Sequence, residues 1–284
     1  MAWQNDSGSR VEADAEDGPS LPSGADAPKI FTPEYYARMR QLEADSWWNS
    51  AMRDIAAGLL RDAWIPGRGL LLDAGCGSGQ TMTWFAQEWR AWRSIGFDVA
   101  PEGLLAARRD GHTVVRASAT DLPYPESCAD LIITLDVLQH LPLHGGDDTA
   151  LREMYRVLKP DGLLLIRTNA QSFPASADDA KFDFRKYTPS LLRARLTAAG
   201  FDILRLGRVN AVLGLAEIPR EMRAGRQQES DYHGILATPR SATGFAGRIK
   251  RAWLGLEGRA MRLGWQLPLG RTIFALCRRE AEKR

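Results

Sequence analysis

A glycine-rich segment with one acidic residue is the part of this sequence whose spacing points most directly to ligand binding. It reads Asp73-Ala74-Gly75-Cys76-Gly77-Ser78-Gly79, between a short apolar run and an amphipathic stretch. Glycines at such a strand-to-helix corner let the backbone turn tightly and approach a ligand, since no Cβ intervenes. In the G-x-G-x-x-G fingerprint of nicotinamide dinucleotide sites, the third glycine falls three residues after the second. Here it falls two residues after the second, which argues against a pyrophosphate cradle.

This segment resembles motif I of the class I S-adenosylmethionine-dependent methyltransferases, and the resemblance continues over residues 31–284. The resemblance implies S-adenosyl-L-methionine as the cofactor, with the loop wrapped around its methionine part. Asp73 would meet the positive amino end of the methionine directly or through water. The loop residues implied in cofactor binding are Asp73, Gly75, Cys76, Gly77 and Gly79. The alternative interpretation is a glycine-rich turn that binds no ligand.

Residues at two further strand ends extend the implied cofactor site. Asp98 ends the second predicted strand and is followed by Val99. The resemblance implies that the Asp98 carboxylate accepts hydrogen bonds from both ribose hydroxyls and that Val99 packs on the adenine. The backbone of Leu135, at the end of the fourth predicted strand, is implied to touch the methionine amino group. The alternative for Asp98 is a solvated loop acid.

The contact with the adenine amino group is expected in the loop after the third strand. Relatives commonly have an acid followed by a small residue there, whereas this sequence has Ser118-Ala119. Serine is a poorer acceptor than a carboxylate. Either its hydroxyl serves, or Thr120 or Asp121 takes over, while the backbone N–H of Ala119 does not depend on side-chain identity.

Asp136 and His140 follow the fourth predicted strand and are the candidates for chemistry at the methyl acceptor. Four residues apart, they are expected to share one face of a helix. A histidine that titrates near neutral pH can act as a general base when the acceptor is a hydroxyl or an amine. The alternative is that His140 only fixes the helix and the loop. Positioning supplies much of the rate, so an acceptor that is carbon-centred or already deprotonated needs no base.

Aromatic and charged residues on both sides of the predicted strand region are candidates for the substrate pocket. One aromatic group precedes the first strand, and a second precedes the helix predicted from residue 189. The candidate substrate residues are Tyr36, Trp48, Asp136, Arg185 and Tyr187. The alternative is that the aromatic side chains form plain core and that Arg185 lies in solvent.

Composition narrows the class of protein. A length of 284 residues, an apolar content of 44% and a formal net charge of +2 fit one α/β domain with an embellishment, and they do not call for a nucleic-acid partner. Three widely spaced cysteines argue against a disulfide framework. No Cys/His spacing is typical of a metal site, so no metal is expected. The sequence shows no signal peptide or membrane-spanning run, which predicts a soluble cytoplasmic protein.

Short apolar runs and amphipathic stretches alternate from Leu70 onwards. Strands are predicted at 70–74, 94–98, 113–117, 129–135, 162–168, 201–209 and 271–278. Helices are predicted at 80–89, 101–109, 149–158, 189–199, 211–226 and 244–263. This alternation indicates an α/β fold, a Rossmann-like and mostly parallel sheet with helices on both faces. The resemblance implies seven strands, the last inserted antiparallel between its neighbours, and such a sheet binds its ligand at the carboxyl ends of the strands.

Segments outside the predicted sheet differ in composition. Residues 1–29 are acidic and poor in large apolar side chains, which predicts a disordered tail before a methyltransferase domain over 30–284. Apolar spacing predicts N-terminal helices within 30–65. Residues 211–268 are expected to form a helical insertion that caps the active site before the last strand.

The stretch 244–263 combines an apolar stripe with many basic residues. The stripe contains Phe245, Ile249, Trp253, Leu256, Ala260 and Leu263, opposite Arg248, Lys250, Arg251, Arg259 and Arg262. We expect a helix packed on the domain with its charges in water. The alternative is a weak contact with an anionic membrane surface, on which basic amphipathic helices lie.

These patterns predict S-adenosylmethionine-dependent methyl transfer to a small-molecule acceptor, in secondary or cell-envelope metabolism. One alternative is a methyltransferase that acts on a protein, an RNA or a membrane lipid. Another is a cofactor-binding protein without catalysis. The Asn/Asp-Pro-Pro-Tyr/Phe motif of base and glutamine amide methylation does not follow the fourth strand, where Thr134-Leu135-Asp136-Val137 stands.

Overall fold

The computed structural model describes residues 46–171, 185–212 and 244–281, together with the backbone of 3–4 and 10–11. The strands of the main sheet are β1 Leu70–Ala74, β2 Arg93–Asp98, β3 Thr113–Arg116, β4 Ala129–Leu135, β5 Leu158–Asn169, β6 Phe201–Val209 and β7 Thr272–Arg279. They form a seven-stranded sheet in the order β3-β2-β1-β4-β5-β7-β6. β1 to β5 pair in parallel, and β7 runs antiparallel between β5 and β6. The predicted fold class is confirmed.

Helices cover both faces of this sheet. In the described residues they are α1 Trp47–Asp62, α2 Gln80–Glu88, α3 Pro101–Arg109, α4 Gly146–Val157, α5 Pro189–Ala198 and α6 Phe245–Arg262, with one 3₁₀ turn at Leu138–His140. Thr188 caps α5 by accepting a hydrogen bond from Leu191 N at 3.1 Å, and Pro189 takes the first helical position. α4 begins three residues earlier than predicted. Asp147 and Asp148 favour that start, because acids stabilise the first turn of a helix.

The central strands are apolar on both faces, as expected for parallel strands covered on both sides. Leu71 in β1 and Leu131 in β4 belong to the core under α1, α2 and α6. Their neighbours Leu72 and Ile132 belong to the core under α4 and α5. The site-bearing edge of the sheet is therefore held between two packed helical layers.

β5 is longer than the sequence predicted. It begins at Leu158, which pairs with Ala129 before the register shifts. Asp161 lies in this irregular part with φ +63. Residues 159–161, which precede the strand predicted at 162–168, form an irregular part of the same strand.

α6 packs on α1, but by a different face from its large apolar stripe. Leu254, Gly258 and Met261 are buried against the domain. A Cβ added to Gly258 would lie 2.5 Å from Ile55 Cγ1, so the two helices approach closely because this residue is glycine. The predicted stripe is exposed instead. The helix packs on the domain as expected, but the apolar stripe does not form its packed face.

Ion pairs and a buried acid fasten α6 further. Arg251 pairs with Asp54, and Arg262 pairs with Asp62. The buried Glu257 carboxylate accepts hydrogen bonds from the backbone N–H groups of 211 and 212 at 2.9 and 3.2 Å. α6 is thus joined to the end of β6 as well as to α1.

Several expectations fall mostly outside the described residues. Within the tail predicted at 1–29, the backbone of Trp3–Gln4 pairs antiparallel with Arg10–Val11. The remainder of that tail, the helical part before residue 46 and the helix expected at 211–226 stay predictions. No helix in the described ranges is long and apolar enough to cross a bilayer.

Two glycines in α6 give a direct test of this packing. No atom lies within 4 Å of a Cβ added to Gly255, so Gly255→Ala should stabilise the fold by about 0.5–1 kcal/mol through helix propensity. Gly258→Ala gains the same propensity but must displace Ile55, an overpacking cost of about 1–3 kcal/mol. Urea denaturation of both variants should place Gly258→Ala below Gly255→Ala. Equal stability of the two variants would contradict the close helix contact.

Candidate active site

The glycine loop after β1 is shaped by the neighbouring strand β2. Gly75 N and Cys76 N both donate to Phe97 O, at 2.8 and 3.0 Å. Gly75, Gly77 and Gly79 have φ values of +73, +49 and +80, in the left-handed region that glycine adopts without strain. The three glycines are therefore required by the backbone of the loop.

The loop after β4 rests directly on the glycine loop. A Cβ added to Gly75 would collide with Cγ2 of Val137. Since β1 and β4 are parallel neighbours, their carboxyl ends bring these two loops to one edge of the sheet. The predicted cofactor loop and the predicted acceptor region are thus adjacent.

Gly96, in β2, is a further residue that shapes the site and was not among the predicted site residues. A Cβ at this position would lie 2.6 Å from Cys76 Sγ and 2.7 Å from Met82 Sδ. Glycine in β2 therefore lets the loop and the start of α2 approach the strand. A signal was present, since a glycine inside a strand often marks a close approach of another part of the chain.

Asp98 is held by two backbone N–H groups at the end of β2. Its Oδ2 accepts from Gly77 N, and its Oδ1 accepts from Ala100 N, both at 2.9 Å. Each carboxylate oxygen can accept a second hydrogen bond, so these contacts orient the group and leave capacity for ribose hydroxyls. Burial raises the pKa of the Asp98 carboxyl above its ordinary value, and the backbone N–H groups partly oppose that rise.

The electrostatics of the loop suit a positively charged ligand. Burial raises the pKa of the Cys76 thiol well above its ordinary value, and the carboxylates of Asp73 and Asp98 raise it further. The thiol therefore stays protonated. Asp73 is itself only 2% exposed. Two carboxylates close to one neutral thiol give this edge a negative potential, which complements a sulfonium and an amino group.

Contacts within the loop after β3 bear on which of its groups could meet the adenine. The Ser118 hydroxyl lies 2.7 Å from Thr120 Oγ1 and accepts from Thr120 N at 3.2 Å, so it is used within its own turn. Asp121 is exposed. Ala119 is buried, and no group in the described part of the chain accepts a hydrogen bond from its N–H. The geometry favours the Ala119 N–H as the adenine contact.

On the acceptor side, Arg167 brings two predicted residues together. Its Nε donates to Asp136 Oδ2 at 3.0 Å, its Nη2 contacts the same oxygen, and its guanidinium lies 4.9 Å from the centre of the Trp48 ring. Arg167 was not among the residues predicted from the sequence to lie at this site. The available signal was a charged residue at the end of an apolar strand, four positions after Leu163.

The expectation that Asp136 and His140 share a helical face is wrong. Asp136 has φ +61, in a left-handed turn, and His140 ends a single 3₁₀ turn. The chain turns here because Asp136 N donates to Arg167 O at 2.8 Å, which ties this residue to β5 instead of to a helix. A left-handed non-glycine residue at a strand end is a feature that concentrates at functional sites.

His140 is placed beside the acceptor region in a partly buried position. Burial lowers the pKa of its imidazole below the ordinary value, while the Asp136 carboxylate opposes that change. The ring is therefore neutral near neutral pH. A neutral imidazole can accept a proton, which is the form that a general base requires.

Arg185 and Tyr187 belong to a buried ionic network. Arg185 Nη1 pairs with Asp147 Oδ1 at 2.8 Å, and Tyr187 Oη donates to Asp147 Oδ2 at 3.0 Å. Arg185 N also donates to Gln139 O at 3.1 Å. Tyr187 and Asp147 are fully buried. These contacts favour a role of Arg185 and Tyr187 in holding the 3₁₀ turn at Leu138–His140 over a role in contacting substrate. Tyr36, another substrate candidate, lies outside the described residues.

Sequence comparisons agree with this geometry. Residues 72–166 match the family model described as "Methyltransferase domain". The tRNA (carboxymethyluridine(34)-5-O)-methyltransferase of Arabidopsis thaliana is 32% identical over 125 residues, which cover 44% of this chain and 29% of that protein. The trans-aconitate 2-methyltransferase of Azoarcus sp. (strain BH72) is 32% identical over 130 residues, which cover 45% of this chain and 48% of that protein. The chain spans less than half the length of these curated relatives.

A solved structure supports the fold. Phosphoethanolamine N-methyltransferase 2 of Haemonchus contortus, in complex with S-adenosyl-L-methionine, superposes with a TM-score of 0.59 at 18% identity, covering 89% of this chain and 58% of that chain. At that identity the likeness concerns the fold. The family match identifies residues 72–166 as a methyltransferase domain, and the strand order agrees with the Rossmann-like fold of class I S-adenosylmethionine-dependent methyltransferases.

Proposed function

We propose that this domain binds S-adenosyl-L-methionine at the carboxyl edge of the sheet and transfers the methyl group to a small-molecule acceptor. The observation that carries the proposal is the hydrogen bond from Gly77 N to Asp98 Oδ2 at 2.9 Å. It joins the glycine loop and the carboxylate proposed for the ribose into one unit. Both residues lie within the matched range 72–166.

The proposed cofactor contacts use groups that the fold holds in place. When bound, the cofactor supplies an activated methyl group on a sulfonium sulfur. Asp98 accepts from the ribose hydroxyls, and Asp73 adds negative charge near the positive amino end. The full proposed set is Asp73, Gly75, Cys76, Gly77, Gly79, Asp98, Val99, Ser118, Ala119 and Leu135.

The proposed acceptor contacts lie on the other side of the loop after β4. Trp48 and Asp136 both contact the Arg167 guanidinium. His140 accepts the proton of a hydroxyl or amine acceptor, which its neutral form allows. Orientation of the acceptor by these side chains supplies much of the remaining rate.

The burial of these residues favours a small acceptor. The side chains of Arg167 and Asp136 are 12% and 30% exposed. Partly buried side chains are reached more readily by a small molecule than by a folded macromolecule. By their names, the Arabidopsis relative acts on tRNA and the Azoarcus relative on trans-aconitate, so the relatives include both acceptor classes.

Asp98→Ala should weaken binding of S-adenosyl-L-methionine by about one to two orders of magnitude, because two charged hydrogen bonds are lost. Calorimetric titration measures this loss, and Asp202→Asn, an exposed acid in β6, is the matched control. In the parent protein, affinity should fall as the pH falls through the pKa of Asp98, because protonation removes the charge. Since burial raises that pKa, the fall should begin at a higher pH than for an exposed aspartate. Unchanged affinity in folded Asp98→Ala would remove this residue from the site.

His140→Ala should lower turnover by roughly 10²–10⁴-fold if the imidazole is a general base. Cofactor affinity should stay unchanged, since the base acts on the acceptor. The base works when deprotonated, and burial lowers the pKa of His140, so the acid limb of the pH–rate profile should lie below the ordinary imidazole pKa. Turnover within about threefold of the parent, per folded molecule, would leave His140 with a structural role.

The acceptor class is tested by following a labelled methyl group. The chain is incubated with labelled cofactor and, in parallel, with small hydroxyl, amine and carboxylate compounds, with total RNA and with a protein extract. We expect label in the small-molecule fraction, and loss of that label in Asp98→Ala. Label in RNA alone would overturn the small-molecule assignment. Cofactor binding without any transfer would overturn catalysis.

A further inference from the structure

α6 carries a second apolar face that points away from the domain. Its members are Phe245, Ile249, Trp253, Leu256 and Leu263, exposed by 73%, 53%, 43%, 58% and 79%, and we call them the outward ridge. At about 100° per residue these side chains share one side of the helix. The buried residues Leu254, Gly258 and Met261 lie on the opposite side.

Exposed cations border the outward ridge. Arg248 and Arg259 are exposed on its flank, and neither has an acidic partner among the described residues. By contrast, Arg251 and Arg262 lie on the side facing α1 and pair with aspartates there. The acid within α6, Glu257, is buried and accepts backbone hydrogen bonds. Among the described residues, the exposed face of α6 therefore combines large apolar side chains with positively charged ones and no exposed acid of the helix itself.

Two exposed tryptophans lie where α1 and α6 end. The ion pair between Asp62 and Arg262 joins the last turns of the two helices. Trp64 and Trp265 follow those turns with exposures of 90% and 70%. Tryptophan is enriched at the interface between a bilayer and water, because its ring is apolar and its N–H is polar.

We propose that the outward ridge of α6 docks on the surface of an anionic lipid bilayer. The apolar side chains would enter the boundary between headgroups and acyl chains, and Arg248 and Arg259 would lie at the level of the lipid phosphates. A second copy of this chain fits the same face less well. In a twofold contact the two ridges would bring the same exposed cations together, and like charges oppose such a contact.

The start of α6 lies close to the proposed acceptor side of the candidate active site. α1 and α6 run parallel, since Asp54 pairs with Arg251 and Asp62 with Arg262. Lys250, in the second turn of α6, lies 5.3 Å from the ring of Trp47, which precedes the acceptor-side Trp48. The first turns of α6 are thus close to the acceptor side. The docking proposal rests on the surface of α6 and does not depend on the proposed reaction.

Co-sedimentation of the full chain with lipid vesicles tests the proposal. We expect binding to vesicles of phosphatidylcholine mixed with phosphatidylglycerol, weaker binding to phosphatidylcholine alone, and weakening by salt. Arg248→Gln with Arg259→Gln should lower partitioning about 30-fold, at roughly fivefold for each cation near an anionic surface. Ile249→Ser with Leu256→Ser should lower partitioning about tenfold or more by removing apolar area.

A matched pair on α3 serves as the control. Leu105 is 54% exposed there and Arg109 is exposed, so Leu105→Ser with Arg109→Gln removes the same types of residue from another surface. This variant should bind anionic vesicles like the parent, and all variants should keep the parent melting temperature. Absence of parent binding to anionic vesicles would overturn the proposal, as would an equal loss in the α3 control. Ridge-dependent self-association in light scattering, without vesicle binding, would assign the ridge to a second copy.

Discussion

The candidate site depends on the joint between the glycine loop and the end of β2. Phe97 O accepts from Gly75 N and Cys76 N, and the next residue, Asp98, accepts from Gly77 N. Adjacent residues of one strand thus satisfy three amides of the loop that follows another strand. An unsatisfied buried amide costs about 1–3 kcal/mol, so these bonds determine the path of the loop. The same bonds orient the carboxylate proposed for the ribose, and loop shape and ligand recognition therefore have one physical origin.

Buried and partly buried charges organise the proposed acceptor side, and each is matched by a partner from a distant part of the chain. Arg167, at the end of β5, neutralises Asp136 after β4 and stacks on Trp48 of α1. Asp147, at the start of α4, is satisfied by Arg185 and by the Tyr187 hydroxyl. A buried charge without its partner is strongly unfavourable, so these pairs hold the loops in a single arrangement. The acceptor region is consequently preorganised before any ligand binds.

α6 shows how packing and surface chemistry can be divided between two faces of one helix. Gly258 on the inner face allows close approach to α1, whereas a second set of large apolar side chains remains exposed on the outer face. The inner face is attached through Leu254 and Met261 in the core, through Gly258 against Ile55, and through two arginines that pair with aspartates of α1. The outer face is thereby available for another contact without loss of the fold.

The sequence by itself determined the alternation of strands and helices, the glycine loop at 73–79 and the position of Asp98, because hydrophobic period and turn chemistry are local properties. It also indicated the antiparallel last strand through its resemblance to a known family. Only the tertiary structure decided that Asp136 adopts a left-handed turn instead of a helix. It also decided that Arg185 pairs with Asp147 and that Arg167 pairs with Asp136. It likewise decided which face of α6 packs. Partners of charged side chains and close helix approaches depend on residues far apart in sequence, and a local pattern does not encode which of them meet.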